Sequence, residues 1–168
     1  QLQWQLGKVV EIRQETSKAK SLILDLPDWT THLPGQHVDV RLTAEDGYQA
    51  QRSYSIGSPP EHKYLMLTVE RIDDGEVSPY LTDELRVGDQ IELRGPIGGY
   101  FVWDTRDGGN DGPPLFLAAG GSGITPLMSM IRHRASTGNK VPTRLLYSSR
   151  SYEEIIFREA LASLSPHD

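Results

Sequence analysis

The feature that most constrains this chain is a change of hydrophobic period at "DTRDGGNDGPP", Asp104 to Pro114. Before it, apolar residues come in short alternating runs, "LGKVVEIRQ", "SLILDLP", "HVDVRLT", "QRSYSIG", "YLMLTVERI" and "DQIELRG", separated by turn clusters. Six such runs at this spacing describe a small antiparallel barrel or sandwich. One segment departs from the alternation. "SPYLTDELR", Ser78 to Arg86, reads as a short helix with Ser78 as N-cap and Pro79 as first helical residue, placed to cap the end of a barrel.

After the change, "PLFLAAGGSGITPLMSMIRHRASTG" runs from a continuous apolar strand through glycines into an amphipathic helix, and "TRLLYSSRSYEEIIFREALASL" repeats strand then helix. This alternation predicts a parallel sheet covered by helices. Two strands are too few for a stable doubly wound sheet, so the second part reads as the beginning of a nucleotide-binding α/β unit and the chain as part of a longer product. The expected organisation is a β-barrel over residues 1–103, an exposed glycine-rich linker over 104–114, and a partial α/β domain over 115–168.

Composition narrows the chemistry. The 168 residues contain no cysteine, which excludes disulfides, thiolate zinc sites, iron–sulfur clusters and cysteine nucleophiles within this chain. A net charge of −6 with scattered basic residues leaves no nucleic-acid footprint. No apolar run is long enough to span a bilayer and no secretory leader pattern opens the sequence, so the cytoplasm is the expected compartment. The five histidines have no metal-ligand spacing and no carboxylate at motif spacing, and surface positions are expected for them.

Four stretches could bind a ligand. In "QRSYSIG", a strand puts Arg52, Tyr54 and Ile56 on one side and Ser53 and Ser55 on the other. A guanidinium beside an aromatic ring suits a planar ligand carrying a phosphate, and equally suits an Arg–Tyr stack on an exposed face. In "DGEVSPYL", Gly75 precedes the turn into the 78–86 helix. This is an anion-site geometry that plain capping also explains.

The third stretch, "AAGGSGITP", lies between strand and helix as a phosphate loop requires, although Pro126 stands where the third glycine of the dinucleotide fingerprint would be. In the fourth, "YSSRS", Ser149 and Arg150 follow the second parallel strand, where an adenosine phosphate is received in open α/β sheets. Arginine with serines there tilts toward NADP over NAD, and a solvated loop arginine is the competing explanation.

In order along the chain, "RSYS", "GEVS", "GPIGGYF" and "GGSGITP" resemble the motifs of the ferredoxin–NADP reductase superfamily of flavin oxidoreductases. The resemblance implies an all-β antiparallel six-stranded Greek-key barrel with one capping helix that holds FAD, with FMN possible, followed by a partial Rossmann-like α/β domain for NADPH or NADH. By matching position it implies that Arg52 contacts the flavin phosphates, Tyr54 packs along the flavin and Ser55 bonds near its reactive N5. Val69 and Arg71 match a strand lining the flavin and its adenosine, and Gly75, Val77 and Ser78 match the pyrophosphate turn. Gly120, Gly121, Gly123 and Pro126 match the nicotinamide-nucleotide loop, and Thr125 a residue placed between the two cofactors.

The implied catalytic pair is Ser55 and Thr125. The implied reaction is hydride transfer from NAD(P)H to flavin and electron delivery to a protein acceptor, a ferredoxin or an oxygenase component. A flavin-binding electron-transfer or sensing subunit that does not use NAD(P)H is the alternative, and a barrel-shaped interaction module without cofactor is a third.

Overall fold

Each alternating run becomes a strand, because a side-chain period of two lets one face fill a core while the other meets solvent. The computed structural model describes residues 2–104 and 112–164. The first part contains β1 (Gln5–Gln14), β2 (Ala19–Asp25), β3 (His37–Thr43), β4 (Gln49–Ser55), β5 (Leu65–Glu70) and β6 (Gln90–Ile97). They form one sheet in the order β4-β3-β6-β1-β2-β5, with every pair antiparallel.

The outer strands of that order meet. Ile56, just past β4, bridges Leu67 of β5, and the Gly57 N–H donates to the Met66 carbonyl at 2.8 Å. The sheet thereby curls onto itself, and bending of β1 helps it do so. The first residues of β1 pair with β6 and its later ones with β2, and the register slips between Val9 and Glu11. An extra residue at that point bends a strand and increases its twist.

The barrel interior is apolar: Leu22, Leu24, Val38, Val40, Leu67, Val69 and Leu93 are all fully buried in one cluster. Val77, Leu81 and Leu85 belong to the same cluster and close one end, so the expected cap is present. Its form differs from the expectation. The helical turn Tyr80–Glu84 is π-like, ending on a bond from the Leu85 N–H to the Tyr80 carbonyl at 3.0 Å. Ser78 is not its N-cap; its Oγ accepts the Ile72 N–H at 3.0 Å and ties the preceding turn to the helix start.

The second part contains β7 (Leu115–Gly120), α1 (Ile124–Thr137), β8 (Thr143–Ser148) and α2 (Arg158–Ala162). β7 and β8 are parallel, in register from Leu115↔Thr143 to Gly120↔Ser148. Among the described residues α1 covers one face of this pair, while on the other face Phe116 is 70% exposed and Leu146 61% exposed. The apolar pattern of "YEEIIFREAL" does not give a continuous helix. Phe157 breaks it with a left-handed φ of 57°, which allows Ile156 and Phe157 both to be buried.

α1 packs on the barrel as well as on its own strands. Ile124, Leu127, Met128 and Met130 share a cluster with Ala19, Ile23 and Met66 from the barrel's outer surface. Of the expected linker, residues 105–111 lie outside the described residues, as do the final residues 165–168.

Candidate functional site

Two cavities gather the stretches singled out in the sequence. The first, of about 150 Å³, is lined by Arg52, Ser53 and Tyr54 of β4, Glu70 and Ile72 at the end of β5, and the turn Gly75–Ser78. β4 delivers Arg52 and Tyr54 to one face as its period dictates. Tyr54 packs against the barrel core, whereas Ser53 points the opposite way and donates to the buried Asp39 carboxylate at 2.7 Å. Arg52 reaches the turn through Glu76, Nη2 to Oε2 3.3 Å.

Burial pushes the Tyr54 hydroxyl up to about 12, against the lowering influence of Arg52, so this ring is a neutral wall at ordinary pH. The Gly75 N–H donates to the Ile72 carbonyl at 2.9 Å, and the turn runs directly into a helix whose first N–H groups lack intrahelical partners. A cation, a neutral aromatic face and a donor-rich turn form a donor set suited to a phosphorylated planar ligand. A larger cleft of about 910 Å³ starts from the same Glu76 and continues past Tyr48 and Tyr80.

Not every expected residue lines this cavity. Val69 is fully buried in the barrel core, and Arg71 pairs with Asp73 and with Asp83, the latter at 2.9 Å. Their neighbours Glu70 and Ile72 occupy the lining instead. Val77 lines the cavity and is at the same time packed into the core.

The second cavity, about 620 Å³, lies at the carboxyl ends of β7 and β8 and is lined by Gly120, Gly121, Ser122, Ser148, Ser149 and Arg150 together with Glu70 and Glu154. This is where open parallel sheets receive nucleotides. Gly121 has φ +52°, a conformation a side chain rarely adopts. The Tyr147 hydroxyl holds the loop by donating to the Gly121 carbonyl at 3.0 Å, and it accepts the Ile156 N–H at 3.3 Å. Burial raises the pKa of Tyr147 above the ordinary tyrosine value. Arg150 is engaged in a fork with Glu154, Nε at 2.8 Å and Nη2 at 3.1 Å.

Thr125, at the head of α1, is in the lining of neither cavity. Among the described residues its buried Oγ1 has no hydrogen-bond partner, a costly state for a hydroxyl unless a ligand satisfies it. Ser55 stands at the end of β4, two residues before Gly57, which packs beside Thr125. Pro126, in the first turn of α1, is buried with it where no main-chain donor is needed.

Sequence reasoning missed the histidines. His32 and His133 are buried rather than on the surface, with His133 Nδ1 2.6 Å from Glu61 Oε1 and His32 Nε2 2.9 Å from the Ser58 carbonyl. Their partners are far away along the chain, so no local spacing signals them. Tyr147 was legible only as part of "YSSRS", one turn removed from the loop it holds. Among the described residues no cluster of three or more potential ligands could hold a metal ion, and no helix is long and apolar enough to cross a membrane.

A barrel cavity lined by a guanidinium and a turn, together with a cleft at parallel strand ends, fits the class of protein that holds a flavin and a nicotinamide nucleotide. The oxidoreductase FAD-binding domain model matches residues 5–102, and the oxidoreductase NAD-binding domain model matches residues 117–168. The chain belongs to the FAD-binding oxidoreductase family, within the ferredoxin–NADP reductase superfamily.

It is 34% identical over 157 residues to the glycine betaine monooxygenase reductase subunit of Chromohalobacter salexigens, covering 92% of this chain and 41% of that protein. It is 35% identical over 162 residues to the NADH oxidoreductase HCR of Escherichia coli, covering 95% and 47%. The chain thus spans less than half the length of these two relatives.

Among solved structures, the FAD/NAD-binding domain of nitric oxide dioxygenase from Vibrio cholerae superposes with a TM-score of 0.83 at 26% identity, covering 94% of this chain and 68% of that one. A ferredoxin NADP+ reductase from Neisseria gonorrhoeae solved with FAD and NADP gives 0.81 at 24% identity, covering 98% and 65%, a likeness of fold.

Proposed function

We propose that this chain is the flavin-holding part, and the beginning of the nicotinamide part, of an NAD(P)H-dependent reductase that passes electrons to a protein acceptor. The observation that carries it is the buried Thr125 hydroxyl, which has no hydrogen-bond partner among the described residues and belongs to a side chain packed against Gly57 just past the end of β4. In this reading the barrel unit extends over 1–103, the linker over 104–114 and the partial nucleotide unit over 115–168.

FAD, rather than FMN, fits the family match and the long cleft that continues from Glu76. Bound FAD would supply the redox chemistry, taking hydride from NAD(P)H and releasing electrons onward. The chain's own residues bind and orient. Arg52 sets a fixed positive charge against the phosphates, with the turn Gly75–Ser78 on the other side. Tyr54, neutral across the working pH range, provides an apolar wall, and the Ser55 hydroxyl serves as a hydrogen-bond partner near the reacting edge.

Thr125 gives its hydroxyl to the nicotinamide side in a site from which water is excluded. Gly120, Gly121 and Gly123 admit the nucleotide backbone, with Ser149 and Arg150 at the adenosine end. Two curated relatives are a monooxygenase reductase subunit and a monooxygenase ferredoxin reductase component, which supports an oxygenase component or ferredoxin as acceptor. A reductase of this kind works where reduced nicotinamide is plentiful, in the cytoplasm.

The test is anaerobic addition of NADPH, then NADH, to the full-length protein loaded with FAD. Bleaching of the flavin band is expected. A yellow protein that neither nucleotide bleaches overturns this reading in favour of a flavin subunit that does not use NAD(P)H.

A further inference from the structure

α1 presents a polar stripe to the barrel at helical spacing, Thr125, Ser129, Arg132 and His133. The stripe docks on one short segment beyond β4. Ser129 Oγ donates to the Ser58 carbonyl at 2.7 Å, and Arg132 Nη1 donates to the Gly57 carbonyl at 2.7 Å. From the barrel side, His32 Nε2 lies 2.9 Å from the same Ser58 carbonyl and the Met66 N–H donates to Ser58 Oγ at 3.0 Å. Two consecutive carbonyls are thus held by three side chains, two of them from the helix that carries Thr125.

Arg132 is an expensive way to make such a contact. Its guanidinium is half-buried, 4.8 Å over the Phe157 ring, and no carboxylate forms an ion pair with it among the described residues. Burying a cation against a carbonyl costs more than an apolar contact of the same size. The arrangement gains geometry instead, since a guanidinium fork and a hydroxyl fix direction as well as distance. The packing has little slack at this point: a Cβ added at Gly57 would lie 3.1 Å from Thr125 Cγ2.

We infer that Ser129 and Arg132 are positioning residues that set the separation between the end of β4, bearing Ser55, and the head of α1, bearing Thr125. They thereby fix the reach between flavin and nicotinamide. This rests on the functional reading above. It goes beyond it in naming residues that touch neither cofactor yet govern the transfer, whose rate falls about a hundredfold for a misplacement of about 1 Å.

The test uses the full-length protein with Ser129→Ala, Arg132→Gln, the double variant and Arg132→Lys, which keeps the charge and a donor should Arg132→Gln fold poorly. Three quantities are compared: FAD affinity, amide exchange at Gly57 and Ser58 in the FAD-loaded protein without nucleotide, and the anaerobic bleaching rate at saturating NAD(P)H. FAD affinity is expected to stay within about threefold of the parent. Exchange at Gly57 and Ser58 should accelerate, and the limiting bleaching rate should fall about ten- to a hundredfold with KM little changed. Arg132→Lys should recover part of the loss.

An unchanged limiting rate despite faster exchange overturns the inference, as does a loss confined to FAD affinity or thermal stability. If the parent itself is not bleached, the functional reading fails. In that event unchanged exchange in the variants would separately refute the holding role of Ser129 and Arg132.

Discussion

Arg52 and Glu76 face each other across the mouth of the smaller cavity, Nη2 to Oε2 3.3 Å, each side chain about half exposed at 55% and 50%. Glu76 also accepts the Tyr48 hydroxyl at 2.7 Å. An exposed pair of this kind contributes under about 1 kcal/mol, so a phosphate with two oxygens for the guanidinium fork displaces it readily.

Arg52→Ala is therefore expected to weaken FAD binding by about 1.5–3 kcal/mol, roughly ten- to a hundredfold in Kd, with the melting temperature of the apoprotein almost unchanged. Glu76→Gln should leave FAD binding equal or tighter. Flavin fluorescence titrations decide both. Equal Kd values for Arg52→Ala and the parent would remove Arg52 from the site.

Tyr54 makes the protein sensitive to alkali. Its pKa is about 12 in the folded chain because of burial, against 10.0 for the ordinary group. Between these values the unfolded chain has released a proton that the folded chain keeps, so stability falls as pH rises from 10 toward 12 and is unaffected by this group below 10. Denaturant midpoints across that range should slope downward in the parent and less steeply in Tyr54→Phe. Identical slopes would place the Tyr54 hydroxyl in water.

His32 acts in the opposite direction. Burial, chiefly, holds its pKa below 6.5; the Ser58 carbonyl and Glu61 oppose the shift and His133 adds to it. The Trp29 indole N–H points at Nδ1 from 3.4 Å and the Ser58 carbonyl takes Nε2, so the neutral ring is the satisfied form. With the folded pKa depressed, the stability linked to His32 is complete above 6.5 and is lost as pH falls through the folded value. Unfolding midpoints between about pH 7 and 5 should drop, and His32→Gln should flatten that dependence even if it lowers the whole curve.

Leu81 links the cap to the cavity. It is fully buried at the closed end of the barrel, one helical turn from Val77, which lines the cavity. Leu81→Ala should cost about 2–5 kcal/mol in unfolding free energy, since the closed end leaves little room to collapse around the gap. A destabilisation below about 1 kcal/mol would mean that the cap is peripheral to the core.

The strands of the barrel were legible because each repeats its own period several times over, and so were the parallel pair and the glycine turn between them. Arg52 and Tyr54 beside Gly75–Ser78, and Gly120 and Gly121 beside Ser149 and Arg150, follow once the fold folds those stretches together. What stayed hidden depends on docking between distant elements. The stripe Thr125, Ser129, Arg132 and His133 is visible in the sequence, but a polar stripe on an amphipathic helix is ordinarily its wet side. Here that side meets the segment beyond β4, and His133 is buried against Glu61. Ser78 departs from its pattern for a related reason: Ser-Pro marks a helix start, while the hydroxyl accepts the Ile72 N–H of the preceding turn.

Arg150 and Glu154 bear on the choice of nucleotide. Serines with an arginine at the end of β8 favour a 2′-phosphate, yet the guanidinium fork is filled by Glu154 at 2.8 and 3.1 Å, and Glu70 adds a second carboxylate to the same cleft. The pair is exposed and contributes under about 1 kcal/mol, so a phosphate dianion competes for Arg150 against a modest penalty and against two nearby negative charges. Glu154→Gln should therefore raise kcat/KM for NADPH severalfold while leaving NADH within about twofold, and Arg150→Ala should lower NADPH selectively by about tenfold. The check is the ratio of kcat/KM for the two nucleotides in the full-length protein. A ratio that neither substitution moves would assign Arg150 to the solvated loop and place nucleotide discrimination elsewhere.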